Sequence, residues 1–169
     1  MLSLILGALL GQTLQGKIIG VTDGDTVKVM SDGVVHTIRM ANIDAPETKG
    51  QPFGQQAKMQ LSSKVFGKNV SVKLDGKDHY NRQIGTIMLE NRNINLEMVE
   101  EGYAWCYRQY CRDGRFMTAE TTARGARVGL WSMPQAIAPW EFRSEKKSSS
   151  SAVKPSSSSQ KKPSGKKKK

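Results

Sequence analysis

Four carboxylates carry the clearest chemical signal in this chain. Asp23 and Asp25 lie in Val-Thr-Asp-Gly-Asp-Thr-Val at 21–27, and Asp44 and Glu47 in Asn-Ile-Asp-Ala-Pro-Glu-Thr at 42–48. Carboxylates that converge repel one another unless a cation sits between them, and hard oxygen donors suit Ca²⁺ or Mg²⁺. Taken singly, each motif is also ordinary turn chemistry, Asp-Gly for a hairpin and Asp-x-Pro for a loop. Two arginines tilt the balance. Arg39 sits mid-strand, where a neutral residue is easier to place, and Arg82 follows the charged turn Asp78-His79-Tyr80-Asn81. Carboxylates for a metal plus two guanidinium forks are what phosphodiester hydrolysis needs, because negative charge develops on the phosphoryl oxygens. A carboxylate such as Glu47 would take a proton from the attacking water. The bland alternative is that both arginines simply form salt bridges to the acidic cluster.

Other chemistries find less support. With two cysteines (Cys106, Cys111) and two histidines (His36, His79), a Cys/His zinc site is not expected. HExxH and GxxxxGK[ST] are absent, and Asp23-x-Asp25 lacks the Gly and Glu of an EF-hand loop. No apolar run approaches the roughly 20 residues of a membrane span.

The elements that must hold these residues read as mainly β. Lys17–Met30 predicts two strands around Thr22-Asp23-Gly24-Asp25, and Val34–Met40 a third after Ser31-Asp32-Gly33. Residues 53–66 change period, with Ala57, Leu61 and Val65 marking an amphipathic helix. Asn69–Asp75 and Ile84–Glu90 predict two more strands. Asn95 is a candidate cap for a short helix ending before Gly102, and residues 112–130 form a further helical candidate weakened by Gly125 and Gly129. The expected fold is α+β, a five-stranded barrel of OB type with about three helices; a five-stranded open sheet is the alternative.

Charge divides the chain. Of 26 Lys+Arg and 15 Asp+Glu in 169 residues, nine lysines and one glutamate fall in 144–169, a Ser/Lys-rich segment expected to be disordered. The body is thus nearly balanced and the tail polycationic. Residues 1–14 begin with an apolar stretch, read either as a buried element or as an export signal. In an oxidising compartment Cys106 and Cys111 could pair, though not within one regular helix; two buried free thiols are the alternative.

Over residues 15–143 the chain resembles the staphylococcal nuclease (thermonuclease) family. The resemblance rests on four blocks in order: 21–27, Ile-Arg-Met-Ala-Asn-Ile-Asp-Ala-Pro-Glu at 38–47, Asp-His-Tyr-Asn-Arg at 78–82, and Ala-Arg-Gly-Ala-Arg-Val-Gly-Leu-Trp at 123–131. It implies an OB-type barrel and a Ca²⁺-dependent nuclease acting on DNA and RNA, single-stranded or frayed by preference, and leaving 3′-phosphate ends. It casts Asp25, Asp44 and the Ala45 backbone carbonyl as metal ligands, with Asp23 tuning the metal. Glu47 becomes the general base, and Arg39 and Arg82 the holders of the scissile phosphate. Tyr80, His79 and Tyr110 would contact substrate. His79 stands where the family has lysine, which would make that contact pH-dependent, and Asn81 where it has glycine. The expected protein is a monomer, secreted or periplasmic. A rival reading is a catalytically inactive OB-type nucleic-acid-binding module, which would be expected to lack some of Arg39, Arg82, Asp25, Asp44 and Glu47; all five are present. A third reading, an electrostatic tether, rests on the tail alone.

Overall fold

The computed structural model describes residues 12–151. In chain order it contains β1 (Thr13–Asp23), β2 (Thr26–Ser31), β3 (Val34–Met40), β4 (Ile43–Asp44), α1 (Gly54–Val65), β5 (Asn69–Lys77), β6 (Gln83–Leu89), β7 (Arg92–Asn93), α2 (Ile94–Glu100), β8 (Trp105–Cys106), α3 (Gly114–Gly125), a 3-10 turn (Gly129–Ser132) and α4 (Pro139–Ser151). The five longer strands are the five expected from the alternation.

Alternation sets the curvature of the sheet. Ile18, Val27, Val29, Ile38, Val70, Val72 and Ile87 are buried on one face, while Lys28 and Lys73 lie outside. The apolar face packs partly on itself across the barrel and partly on the helices. The sheet therefore rolls up, pairing β1–β2, β2–β3, β1–β5 and β5–β6 antiparallel and closing through a parallel β3–β6 contact. β1 makes closure possible by serving both halves: Thr13–Lys17 pair with β5, and Lys17–Asp23 with β2. The result is the barrel, and the open-sheet alternative is excluded. Helix α1 plugs it with Ala57, Leu61 and Val65, the residues that its period picked out.

The helices depart from expectation in three ways. First, α2 is capped by Asn93, whose side chain accepts from Leu96 N at 3.1 Å. The expected cap, Asn95, is fully buried instead. Its Oδ1 accepts from Ile87 N at 3.0 Å, and its Nδ2 donates to Ala41 O at 3.0 Å and Gly85 O at 3.1 Å. Asn95 thus satisfies backbone groups where β3 and β6 part. Second, α3 stops at Gly125 and the chain re-forms as a 3-10 turn at Gly129, so the two glycines divide the 112–130 segment. Third, the described residues form four helices against about three expected, and α4 runs through the boundary expected at 143–144, remaining helical to Ser151. Thr13 and Leu14, assigned by sequence to the leader, belong to β1. The remainder of the leader and tail expectations, residues 1–11 and 152–169, fall outside the described residues. No helix among the described residues is long and apolar enough to cross a membrane.

Cys106 and Cys111 form a disulfide with Cα atoms 5.8 Å apart. It closes a loop carrying Tyr107 and Tyr110 just after β8, which pairs with β4 through Ile43↔Cys106 and Asp44↔Trp105. Beside it Trp105, Leu130 and Trp131 form a second small core, against which Trp140 of α4 packs.

Candidate active site

Two short loops bring the acidic residues together. The Asp23-Gly24-Asp25 turn joins β1 to β2, and β4 follows β3 after one left-handed residue, Asn42. They meet because Gly24 has no side chain: a Cβ there would sit 2.7 Å from both Ala45 Cβ and Ala57 Cβ. The contact is sealed by Ala45 N, which donates to Asp25 Oδ2 at 2.7 Å. A second glycine does the same for the Glu47 loop, since a Cβ on Gly54 would overlap the Glu47 carbonyl.

Arg39 lies under both loops. Its Nη2 contacts Asp44 Oδ1 at 2.9 Å and Asp25 Oδ2 at 3.1 Å, and its Nη1 donates to the carbonyls of Met40 (3.0 Å) and Ile43 (2.9 Å). Asp25 and Asp44 are both buried, and one half-buried guanidinium serves the two. The salt-bridge alternative is therefore correct for Arg39 as a description of contacts. It is not for Arg82, which pairs with Asp78 instead, at 2.7 Å from both Nε and Nη2. Arg82 immediately precedes β6, whose register with β3 (Ile38↔Gln83, Arg39↔Ile84) brings it alongside the strand that carries Arg39.

Burial leaves the acidic cluster short of positive charge. Desolvation, and then the charge of Asp25, push the Asp23 pKa up to about 7. Desolvation also raises Asp44, to about 6, against the opposing hydrogen bond from Arg143 and with a further push from Asp25. Asp23 has a testable linkage. Its folded pKa is above the unfolded value of 3.8, so its contribution is fully present below that value and is lost as pH rises towards 7. In chelator, Asp23→Asn should therefore gain stability over the parent as pH rises from about 4 to 8, by roughly 1–2 kcal/mol once solvent around the half-buried carboxylate is allowed for. Urea unfolding of both proteins across that range checks this; parallel profiles would remove Asp23 from the cluster's charge balance.

Among the described residues no three acidic, histidine or cysteine side chains converge in a ready metal-ligand arrangement. The donor set nevertheless fits a hard cation. Asp25 and Asp44 are all-oxygen donors close enough to share one guanidinium nitrogen, and both are withdrawn from water. Ala45, directly after Asp44, is buried, and its N–H bonds Asp25.

Two residues that the sequence did not single out complete the site. Gln51 is buried; its Oε1 accepts from Glu47 N at 2.9 Å and its Nε2 donates to Ile137 O at 2.9 Å. It fixes the Glu47 loop and ties it to the approach to α4. Arg143, from α4, reaches Asp44 Oδ2 at 2.6 Å and Glu47 Oε1 at 2.8 Å. Burial alone would lower its pKa, but the hydrogen bonds it donates to Asp44 and Glu47 outweigh that and raise it. No local pattern marks either residue; each is recognisable only by the partner that the fold gives it.

The expected substrate contacts are at the rim. Asp78 Oδ1 accepts from the backbone of both Tyr80 and Arg82 at 2.9 Å, closing a tight turn in which Asn81 is left-handed (φ 61°). Tyr80 is exposed, with His79 against its ring at 3.9 Å. Tyr110 is exposed on the disulfide loop, 5.0 Å edge-on from Tyr107. Tyr107 is covered by Trp140, stacked at 5.5 Å.

The same arrangement has relatives. Residues 37–133 match the family model described as staphylococcal nuclease homologue. Protein ParB of Escherichia coli is 39% identical over 146 residues, covering 80% of this chain and 82% of that protein. An uncharacterized endonuclease of Haemophilus influenzae is 39% identical over 132 residues (78% and 74%). Micrococcal nuclease of Shigella flexneri is 36% identical over 148 residues (81% and 84%). The matched span contains Arg39, Asp44, Glu47, Arg82 and the disulfide loop, so with this coverage the chain belongs to the staphylococcal nuclease homologue family.

Proposed function

We propose that this nuclease hydrolyses DNA and RNA in a calcium-dependent reaction that leaves 3′-phosphate ends. The observation that carries the reading is the convergence of buried Asp25 and Asp44 on one half-buried arginine, with Glu47 on the adjoining loop. Asp25, Asp44 and the Ala45 carbonyl are the groups to hold the ion. Bound there, calcium would supply positive charge to the phosphoryl group and to the attacking water.

The rest of the chemistry belongs to the chain. Arg39, on β3, and Arg82, just before the neighbouring β6, hold the phosphoryl oxygens and stabilise charge that grows there as the water attacks. Glu47 accepts the proton of that water as its oxygen bonds to phosphorus. The P–O5′ bond breaks, the 5′ oxygen leaves with a proton from solvent, and the phosphate stays on the 3′ side. Asp23 tunes the charge around the metal. Tyr80, His79 and Tyr110 take the neighbouring nucleotides, and exposed rings of this kind stack best on unpaired bases. That favours single-stranded or frayed substrates. A disulfide persists in oxidising surroundings, which supports a secreted or periplasmic location.

Digestion of single-stranded DNA with calcium or with chelator, followed by end-group analysis, tests the proposal. Cleavage with calcium, none with chelator, and 3′-phosphate products are expected. No cleavage with calcium would favour a binding module that has kept the residues without the chemistry, and 5′-phosphate products would reverse the bond assignment.

A further inference from the structure

Helix α4 makes two contacts on the active site that resemble those of a metal and a substrate. Arg143 places a guanidinium across Asp44 and Glu47, the two acids that the reaction needs free. Three residues earlier, Trp140 lies on Tyr107 with ring planes 15° apart, in the manner of a base on a stacking platform, and meets Trp105 edge-on at 5.6 Å. Residues three apart share a helix face, so both contacts form together when α4 seats.

The apolar anchoring of α4 is confined to its first turn. After Phe142 the helix continues Arg-Ser-Glu-Lys-Lys and then serines, with no apolar side chain to bury. The contacts that seat it include buried Ala138 and Pro139, Trp140, Phe142, the Arg143 ion pairs and the Gln51–Ile137 hydrogen bond just before it. The Arg143 side chain is 38% exposed, so solvent reaches the ion pairs and another cation can compete for them.

We propose that α4 is an internal latch: Arg143 is the resident counter-cation of Asp44 and Glu47, and calcium binding at this site displaces it, lifting Trp140 from Tyr107. This rests on the calcium reading above. The latch sets a threshold, because the ion must win Asp44 from a charged partner before Glu47 is released to act as a base. If the seated form predominates by about ten to one, the apparent calcium affinity is lowered about tenfold.

Calorimetric titration of the full chain with calcium, without nucleic acid, tests this in the parent, Arg143→Gln and Arg143→Lys. Arg143→Gln should bind calcium about tenfold more tightly, with Arg143→Lys close to the parent. Equal or weaker binding by Arg143→Gln would overturn the latch and leave Arg143 a structural or positioning group. A second readout does not depend on that variant folding. Calcium should change the tryptophan fluorescence of the parent, and the change should largely vanish in Trp140→Phe. A calcium-saturated parent with unaltered fluorescence would mean that the helix stays seated, overturning the proposal. If no form binds calcium, the calcium reading fails and the latch with it; if all bind alike, only the latch fails.

Discussion

Glu47→Gln should lower turnover on single-stranded DNA by roughly two or more orders of magnitude at saturating calcium, the usual contribution of a positioned base. The substitution keeps the shape of the side chain and removes its ability to accept a proton. It also spares what holds the loop, because Gln51 Oε1 bonds to the Glu47 backbone N–H and not to its side chain. The carboxylate is 40% exposed, and Arg143 is its side-chain partner. The melting temperature should therefore stay close to that of the parent. KM should change little, since no step assigned to Glu47 precedes chemistry. Steady-state kinetics alongside thermal unfolding checks the pair of expectations. Turnover near that of the parent would remove Glu47 as the base. A large loss of stability would instead make it a structural member of the cluster.

The strands were legible because period-two alternation is imposed by burial on one face, and the barrel buries that face along every long strand. α1 was legible for the same reason, through Ala57, Leu61 and Val65. β4 and β8 were not, because two residues carry no period; yet Asp44 is held by that small pairing. Asn93 and Asn95 show a different limit. Both are plausible caps by type, and what separates them is where β3 and β6 diverge, a tertiary fact. The acidic cluster was visible because its members fall in two short turns. Arg143 was not: 99 residues separate it from Asp44, in a stretch that grades into a polycationic tail and reads as solvated. The sequence also treated Arg39 and Arg82 alike. The structure separates them by burial and by partner, and that difference has consequences.

Arg39→Ala should weaken both the fold and the chemistry, whereas Arg82→Ala should weaken the chemistry alone. The Arg39 side chain is 13% exposed and stands between carboxylates that are 7% and 2% exposed. Removing it leaves buried Asp25 without its guanidinium, Asp44 with Arg143 alone, and two carbonyls, Met40 O and Ile43 O, without that donor. Breaking a buried ionic group of this kind costs about 3–5 kcal/mol. Calcium would return positive charge to the same carboxylates, so it should restore much of the loss in Arg39→Ala and stabilise that variant more than it stabilises the parent. Arg82 is 32% exposed and its partner Asp78 lies on the same turn, so its removal should cost less than about 1 kcal/mol, with or without calcium. Turnover should nonetheless fall by roughly a hundredfold or more in both, because each takes a guanidinium from the phosphoryl group. Urea unfolding with calcium and with chelator, set beside single-turnover cleavage, distinguishes the two. Equal stability losses would mean that burial does not separate their roles. An Arg39→Ala protein that calcium fails to stabilise would argue that Asp25 and Asp44 do not hold the ion, since a cation bound between them has to relieve the repulsion that the lost guanidinium had been offsetting.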